Sequence, residues 1–390
     1  MAANAMLQAN AMLQAAGADG FPVLDLADYL SGVTGARDRL ARQLRDALET
    51  VGFLVVVNHG VPQTMIDAVF AQAARVHALP MAQKQALSMG AGSVGYLAAA
   101  TYAIKTSEIN AQGINAQGIN AQGINVQGIN VQGINAEGIN AGGINPGGSD
   151  AVKSDAGKKP DLNEAFFIDR DRSPDDPAVR AGKRFREENK WPDGLPGFRE
   201  SAMAYYARLE AFAKGLLPVF AVALDLPANW FDPAFEDAQC TLRLSHYPPT
   251  SYADNQFGIA PHTDSSFLTI LPQSELEGLY VRPAGRDWMK APRIPGSFVI
   301  NSGDMCKRWT NDRFLSTEHL AINPSPDRHR YAVPFFFAPN IYWPIRCVPT
   351  CCGAGNPPRY AEVTYEQYRL WFLRNNYHAA ADVPAEMAKP

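Results

Sequence analysis

The apolar positions of this chain change period along its length. From Arg37 to Val51, Leu40, Leu44 and Leu48 fall on one stripe of a 3.6-residue period, and from Pro62 to Leu79, Met65, Ile66, Val69, Phe70 and Val76 do the same. Each segment therefore predicts a helix with one face in a core. Between them Phe53-Leu-Val-Val-Val-Asn58 is apolar until its last residue and reads as a buried strand, and Pro22-Val-Leu-Asp-Leu26 reads as a shorter one. A longer helix is predicted from Phe198 to Leu224, with Tyr205, Leu209, Phe212 and Leu216 on its inner side. From Cys240 to Pro339 the pattern shifts to short strand-like runs broken by Pro and Gly, as in a sandwich or barrel, and a helix from Tyr365 to Asn375 follows. Helices packed around antiparallel strands predict an α+β, mainly β, fold, a double-stranded β-helix (jelly roll) core flanked by helices.

Two segments carry no such period. Asn4 to Ala9 is repeated without change as Asn10 to Ala15, and Ala111 to Asn145 consists of seven consecutive units of the form Ala/Val-x-Gly-Ile-Asn. A pentapeptide solenoid is a poor account of the second. Gln112, Gln117, Gln122, Gln127 and Gln132 stand where such solenoids place a small residue, and the segment is short of two turns of a four-sided coil. A Gly-rich, flexible insertion is the expectation. The chain then divides into a low-complexity tail (1–19), a helix and strand region (20–107), the repeat insertion (108–150), a linker with the long helix (151–235), and the jelly-roll core with its terminal helix (236–390).

Composition narrows the function classes. With 390 residues, 46% apolar and 19% charged, the chain can bury a large core. A net charge of −4 gives no electrostatic basis for holding nucleic acid or an anionic membrane, so a small-molecule substrate is expected, with protein partners left open. No apolar run approaches the ~18 residues of a membrane span, and the start lacks the features of a signal peptide, so a cytoplasmic location is expected. Five cysteines do not form a secreted disulfide framework. Cys347, Cys351 and Cys352 lack the four well-spaced ligands of a closed zinc site and read as small packed thiols.

The chemistry concentrates in Gly258-Ile-Ala-Pro-His262-Thr-Asp264. In an extended strand, residues two apart project from the same face, so His262 and Asp264 can hold one ion together. His319 follows 55 positions beyond Asp264. Two imidazoles and a carboxylate on one side of an ion form the facial triad of non-heme Fe(II) oxygenases. Arg330 opens a later strand-like run, and Tyr247 ends an earlier one, Arg243-Leu-Ser-His-Tyr247. A guanidinium, which grips carboxylate with a planar fork, and a phenol beside such a metal describe a pocket for a small dicarboxylate.

These residues resemble the isopenicillin N synthase-like Fe(II)/2-oxoglutarate-dependent dioxygenases. The resemblance rests also on Gly52-Phe-Leu-Val-Val-Val-Asn-His-Gly-Val-Pro62, Asp161-Leu-Asn-Glu-Ala-Phe-Phe167, Asn301-Ser-Gly-Asp304, Arg308-Trp-Thr-Asn-Asp-Arg-Phe314 and Asn356-Pro-Pro-Arg-Tyr360, and so spans most of the chain. It implies that His262, Asp264 and His319 are the iron ligands and that Arg330 and Tyr247 anchor 2-oxoglutarate. It further implies O2 as oxidant, a supportive role for ascorbate, and Asn163, Glu164 and Phe166 near the substrate opening. Three positions depart from the family pattern. Arg-x-Ser is Arg330-Tyr-Ala332, which removes a hydroxyl that normally helps hold the co-substrate carboxylate; Asn-x-Tyr is Ser245-His-Tyr247; and His-Arg-Val is His319-Leu-Ala321.

Other candidates have plainer readings. His246 faces outward if Tyr247 faces inward, His59 sits in a turn, and His77, His329 and His378 lie on a helix, in a charged turn and near the tail. Asp304 reads as part of a strand-ending turn. Among Phe335, Phe336 and Phe337, Phe336 shares the parity of Arg330 and is the one placed to line the pocket, unless Pro334 introduces a bulge. The expected function is hydroxylation of a small organic molecule with conversion of 2-oxoglutarate to succinate and CO2. The alternatives are a same-fold oxidase or cyclase that does not use 2-oxoglutarate, and a non-catalytic protein acting through its repeats.

Overall fold

The computed structural model describes residues 20–89, 93–100, 159–253 and 255–376. The tail 1–19, the repeat insertion 108–150 and His378 lie outside the described residues.

The helical stripes form where the sequence places them. Helix α1 (Ala36–Thr50) buries Leu40, Leu44 and Leu48, and α2 (Gln63–His77) buries Ile66, Val69 and Val76. After the short α3 (Met81–Ala86), the long α4 (Phe198–Ala223) buries Tyr205, Leu209, Phe212 and Leu216. The last two are α5 (Asp304–Trp309) and α6 (Tyr365–Asn376). Pro62 and Pro80 stand immediately before α2 and α3, where a missing N–H leaves no bond unmade.

The strands are β1 (Val23–Asp25), β2 (Phe53–Val57), β3 (Gly95–Leu97), β4 (Glu164–Asp169), β5 (Gln239–Tyr247), β6 (Ile259–His262), β7 (Leu268–Pro272), β8 (Leu279–Arg282), β9 (Met289–Lys290), β10 (Phe298–Ser302), β11 (Glu318–Ala321), β12 (Arg330–Ala332) and β13 (Phe335–Ala338). One sheet runs β1-β2-β10-β7-β13-β5-β4-β3 with β12 also on β5, and a smaller one runs β6-β11-β8-β9. Apart from the parallel β1–β2 pair, these neighbours are antiparallel. This is the jelly-roll core, α+β and mainly β, with helices on its outside.

Strand β5 separates two environments by the twofold period of a pleated strand. Cys240, Leu242 and Leu244 join the core built with α2 and α4. Thr241 and Arg243 line a cavity, and Tyr247 joins the small cluster that also holds Ile259 and Ala321 of the opposing sheet. Both β12 and β13 pair with β5 in one unbroken register, from Arg330 opposite Tyr247 to Phe336 opposite Thr241, so Pro334 introduces no bulge. Strands β3 and β4 pair antiparallel, and the Ala100 N–H donates to the Asp161 carbonyl at 3.0 Å, so the chain leaves and re-enters the described fold at one place.

The expected turn at Asn301-Ser-Gly-Asp304 is not formed. Asn301 and Ser302 complete β10, and Asp304 opens α5. No helix among the described residues is long and apolar enough to cross a membrane.

Candidate active site

Strand pairing brings the two histidines together. His262, the last residue of β6, lies directly opposite His319 on β11, and the ring centroids are 4.2 Å apart. Asp264 lies two residues past the end of β6, with its Oδ1 3.9 Å from His262 Nε2 and 3.7 Å from His319 Nε2. Each Nδ1 faces a backbone carbonyl two residues back, that of Ala260 at 2.8 Å for His262 and that of Thr317 at 3.1 Å for His319. A carbonyl only accepts, so Nδ1 carries the proton and the Nε2 lone pairs point toward Asp264.

The carboxylate is oriented from behind. Asp264 Oδ2 accepts from Thr269 Oγ1 at 2.6 Å and from Asn301 Nδ2 at 2.8 Å, which leaves Oδ1 toward the histidines. The N-terminus of α5 fixes the preceding loop through the Asp304 N–H, which donates to the Asp264 carbonyl at 2.7 Å. Gly303 is needed for this approach, because a Cβ there would overlap the backbone of Ser266 and Asp264.

Burial and the neighbouring His319 hold the His262 pKa well below its ordinary value, and the Arg243 guanidinium acts in the same direction. Burial alone would raise that of Asp264, but His319, His262 and the two hydrogen bonds outweigh it and hold the carboxyl below its ordinary range. A neutral imidazole and an ionised carboxylate are the protonation states that ligate a divalent metal. With three ligand atoms within 4.8 Å of one another, the donor set fits Fe(II).

Arg330 and Tyr247 also meet. They are cross-strand partners, and the guanidinium carbon lies 4.6 Å from the ring centroid. Arg330 Nε donates to the Leu276 carbonyl at 3.2 Å, whereas its buried Nη1 has no partner. An orphaned guanidinium N–H inside a protein is costly, and a carboxylate ligand would satisfy it.

The cavity beside His262 and Asp264 is walled by Phe167, Thr241, Arg243, Phe336, Tyr365 and Arg369, with Met89, Phe372 and Leu373 adding apolar surface. Of the residues expected on the substrate side, Phe336 is on this wall. Asn163 is one step behind it, accepting from Arg243 Nη2 at 2.7 Å and donating to the Gly258 carbonyl. Glu164 and Phe166 point the other way, because alternate residues of β4 face opposite sides; Phe166 packs on Phe198 in the helical layer, and Phe167 is the pocket residue. Sequence reading also missed Thr269 and Asn301 behind Asp264, and Arg369 and Tyr365 on α6. Arg243 was legible in principle, since it shares the parity of Tyr247.

The N-terminal model of the non-haem dioxygenases in morphine synthesis matches residues 21–112, and the model of the 2OG-Fe(II) oxygenase superfamily matches residues 238–339. A 2-oxoglutarate-Fe(II) type oxidoreductase of Aspergillus fumigatus is 32% identical over 59% of this chain and 70% of its own length. The chain belongs to the 2OG-Fe(II) oxygenase superfamily. The oxidoreductase hxnY of Emericella nidulans, of the same type, is 29% identical over 94% of this oxygenase and 93% of its own length. A 2OG-Fe(II) oxygenase family protein from Caulobacter crescentus superposes with a TM-score of 0.68 at 25% identity, covering 91% and 98% of the two chains. The oxygenase is therefore an enzyme that depends on Fe(II) and 2-oxoglutarate and acts on small molecules.

A second histidine cluster lies on the outer face of β5. Glu164 accepts from His246 Nδ1 at 2.7 Å and Lys84 Nζ at 2.8 Å, and also bonds the Tyr96 hydroxyl, with His77 Nδ1 at 3.4 Å. His246 thus faces away from Tyr247, but into a buried network. Burial alone would raise the Glu164 pKa, yet its hydrogen bonds from His246 and Lys84, with the His77 imidazole beside it, hold it far below its ordinary value. The Lys84 ammonium already supplies the positive charge that an ion would bring. In the oxygenase this cluster ties α2 and α3 to the sheet.

Proposed function

We propose that the oxygenase hydroxylates a small organic acid, with His262, Asp264 and His319 holding Fe(II) and with Arg330 and Tyr247 gripping the distal carboxylate of 2-oxoglutarate. The observation that carries this reading is the orphaned Arg330 Nη1 on the barrel wall, in a fold whose opposing sheet presents two histidine Nε2 atoms to one free carboxylate oxygen. When bound, iron and keto acid supply the oxygen-activating redox chemistry. The chain's own part is placement. Thr269 and Asn301 keep Asp264 Oδ1 facing the ion, and the two backbone carbonyls keep both imidazoles in the ligating tautomer. Phe167 and Phe336 exclude water around the substrate body. The acidic group is matched by Arg243, held between Asn163 and the Phe167 ring 5.3 Å away and close enough to depress the His262 pKa.

The test is incubation with Fe(II), ascorbate and O2, with and without 2-oxoglutarate, reading succinate, across a panel of small organic acids and their amides. Succinate release that rises with an acid and not with its amide supports the reading. Substrate turnover indifferent to 2-oxoglutarate would instead establish the oxidase alternative, and equal turnover of acids and amides would remove Arg243 from substrate selection.

A further inference from the structure

The inner face of β5 presents its residues in rows that continue onto both neighbours. One row holds Tyr247 and Arg330, and the next holds Ala165 on β4, Ser245 on β5 and Ala332 on β12. Ser245 is thus flanked by two methyl groups, one step from the guanidinium. It is completely buried, and its hydroxyl has no hydrogen-bond partner. The residues directly opposite it on both adjoining strands are alanines and offer its hydroxyl no side-chain acceptor. A buried hydroxyl left unpaired is costly, and an unpaired guanidinium N–H more so; here two such donors occupy consecutive rows of one face.

Both orphaned groups are donors, and they accompany a phenol. A carboxylate is the ligand class that accepts from all three at once, since each of its oxygens carries two lone pairs. We infer that Ser245 donates its hydroxyl hydrogen to the distal carboxylate of 2-oxoglutarate, beside Arg330. The hydroxyl absent at Ala332 is in this reading supplied from the directly opposite position, the side chains of such a pair standing about 5 Å apart across the ladder. The two departures of this chain, Ala332 and Ser245, are then one exchange across a strand pair. This rests on the assignment of Arg330 as the anchor of the keto acid.

The test measures 2-oxoglutarate affinity at equilibrium in the Fe(II)-loaded enzyme without O2, by calorimetry, for the parent, Ser245→Ala, Ser245→Ala/Ala332→Ser and Arg330→Gln. Ser245→Ala is expected to weaken binding about tenfold, the worth of a hydrogen bond to a charged group. The double variant is expected to recover to within about threefold of the parent. Ligand-free Ser245→Ala should melt no lower than the parent, because it loses only an unpartnered hydroxyl, while the rise in melting temperature on adding 2-oxoglutarate should shrink. Parent-like affinity in Ser245→Ala overturns the inference, as does a loss that Ala332→Ser leaves unrepaired. If Arg330→Gln also binds normally, the underlying anchor assignment fails; if it alone loses binding, the anchor stands and only Ser245 is excluded.

Discussion

Replacing Asn301 by Ala probes the support of Asp264 without touching a proposed ligand. Asp264 Oδ2 has two donors, Asn301 Nδ2 at 2.8 Å and Thr269 Oγ1 at 2.6 Å, and the carboxylate is only 6% exposed, so water cannot readily replace either. A hydrogen bond to a charged group is worth about 1.5–3 kcal/mol. Without it, Asp264 is free to swing Oδ1 away from the histidines, and its pKa is expected to rise toward the ordinary carboxylate value. At about 1.4 kcal/mol per tenfold, the expected loss of Fe(II) affinity is roughly tenfold to a hundredfold, in line with what removal of such outer partners costs metal sites. The assay is anaerobic Fe(II) titration, with Co(II) as an air-stable check and circular dichroism to confirm the fold. Thr269→Val should show a similar loss, and the pair a larger one. An Fe(II) affinity within about twofold of the parent in correctly folded Asn301→Ala would refute the view that this network presents Asp264 to the metal.

His262→Ala and His319→Ala should each abolish turnover and stoichiometric Fe(II) binding, because each removes one of three protein ligands; metal analysis and succinate release check this. Arg330→Lys should raise the apparent KM for 2-oxoglutarate more than it lowers kcat, since lysine keeps the charge and loses the fork. Deleting Ala111 to Asn145 should leave melting temperature, iron binding and 2-oxoglutarate use nearly unchanged. The flanking β3 and β4 already meet, and removing 35 of the 66 residues between Leu97 and Glu164 changes closure entropy by only ~0.7 kcal/mol. Loss of soluble folding would show that the repeats are structural.

The local elements were legible because each carries its own period. The stripes Leu40-Leu44-Leu48 and Tyr205-Leu209-Phe212-Leu216 fit a helix against a core, and the apolar run at Phe53, short and rich in β-branched residues, fits a buried strand; the structure has each of them. Spacing made His262 and Asp264 a candidate pair, the residue types at His319, Arg330 and Tyr247 extended it to a metal and dicarboxylate pocket, and the resemblance implied the same roles. Parity within β5 correctly separated Tyr247 from His246, but it could not reveal that His246 turns into a buried network with Glu164.

What the sequence left open depends on which strands become neighbours. Glu164 and Phe166 were placed on the substrate side because they lie in the right segment; only the pairing of β4 with β5 fixes which alternate residues face the cavity, and it selects Phe167. Asn301 looked like a turn residue, since Asn, Gly and Asp favour turns locally, and its role behind Asp264 exists only because β10 lies beside β7. Ala332 and Ser245 were two unrelated departures 87 positions apart along the chain, and register made them opposite members of one rung. Periodicity is a local property that the chain carries with it. Cross-strand adjacency is set by how distant segments pack, and in this protein the contacts that orient the proposed metal ligand and surround the proposed keto-acid site are of that second kind.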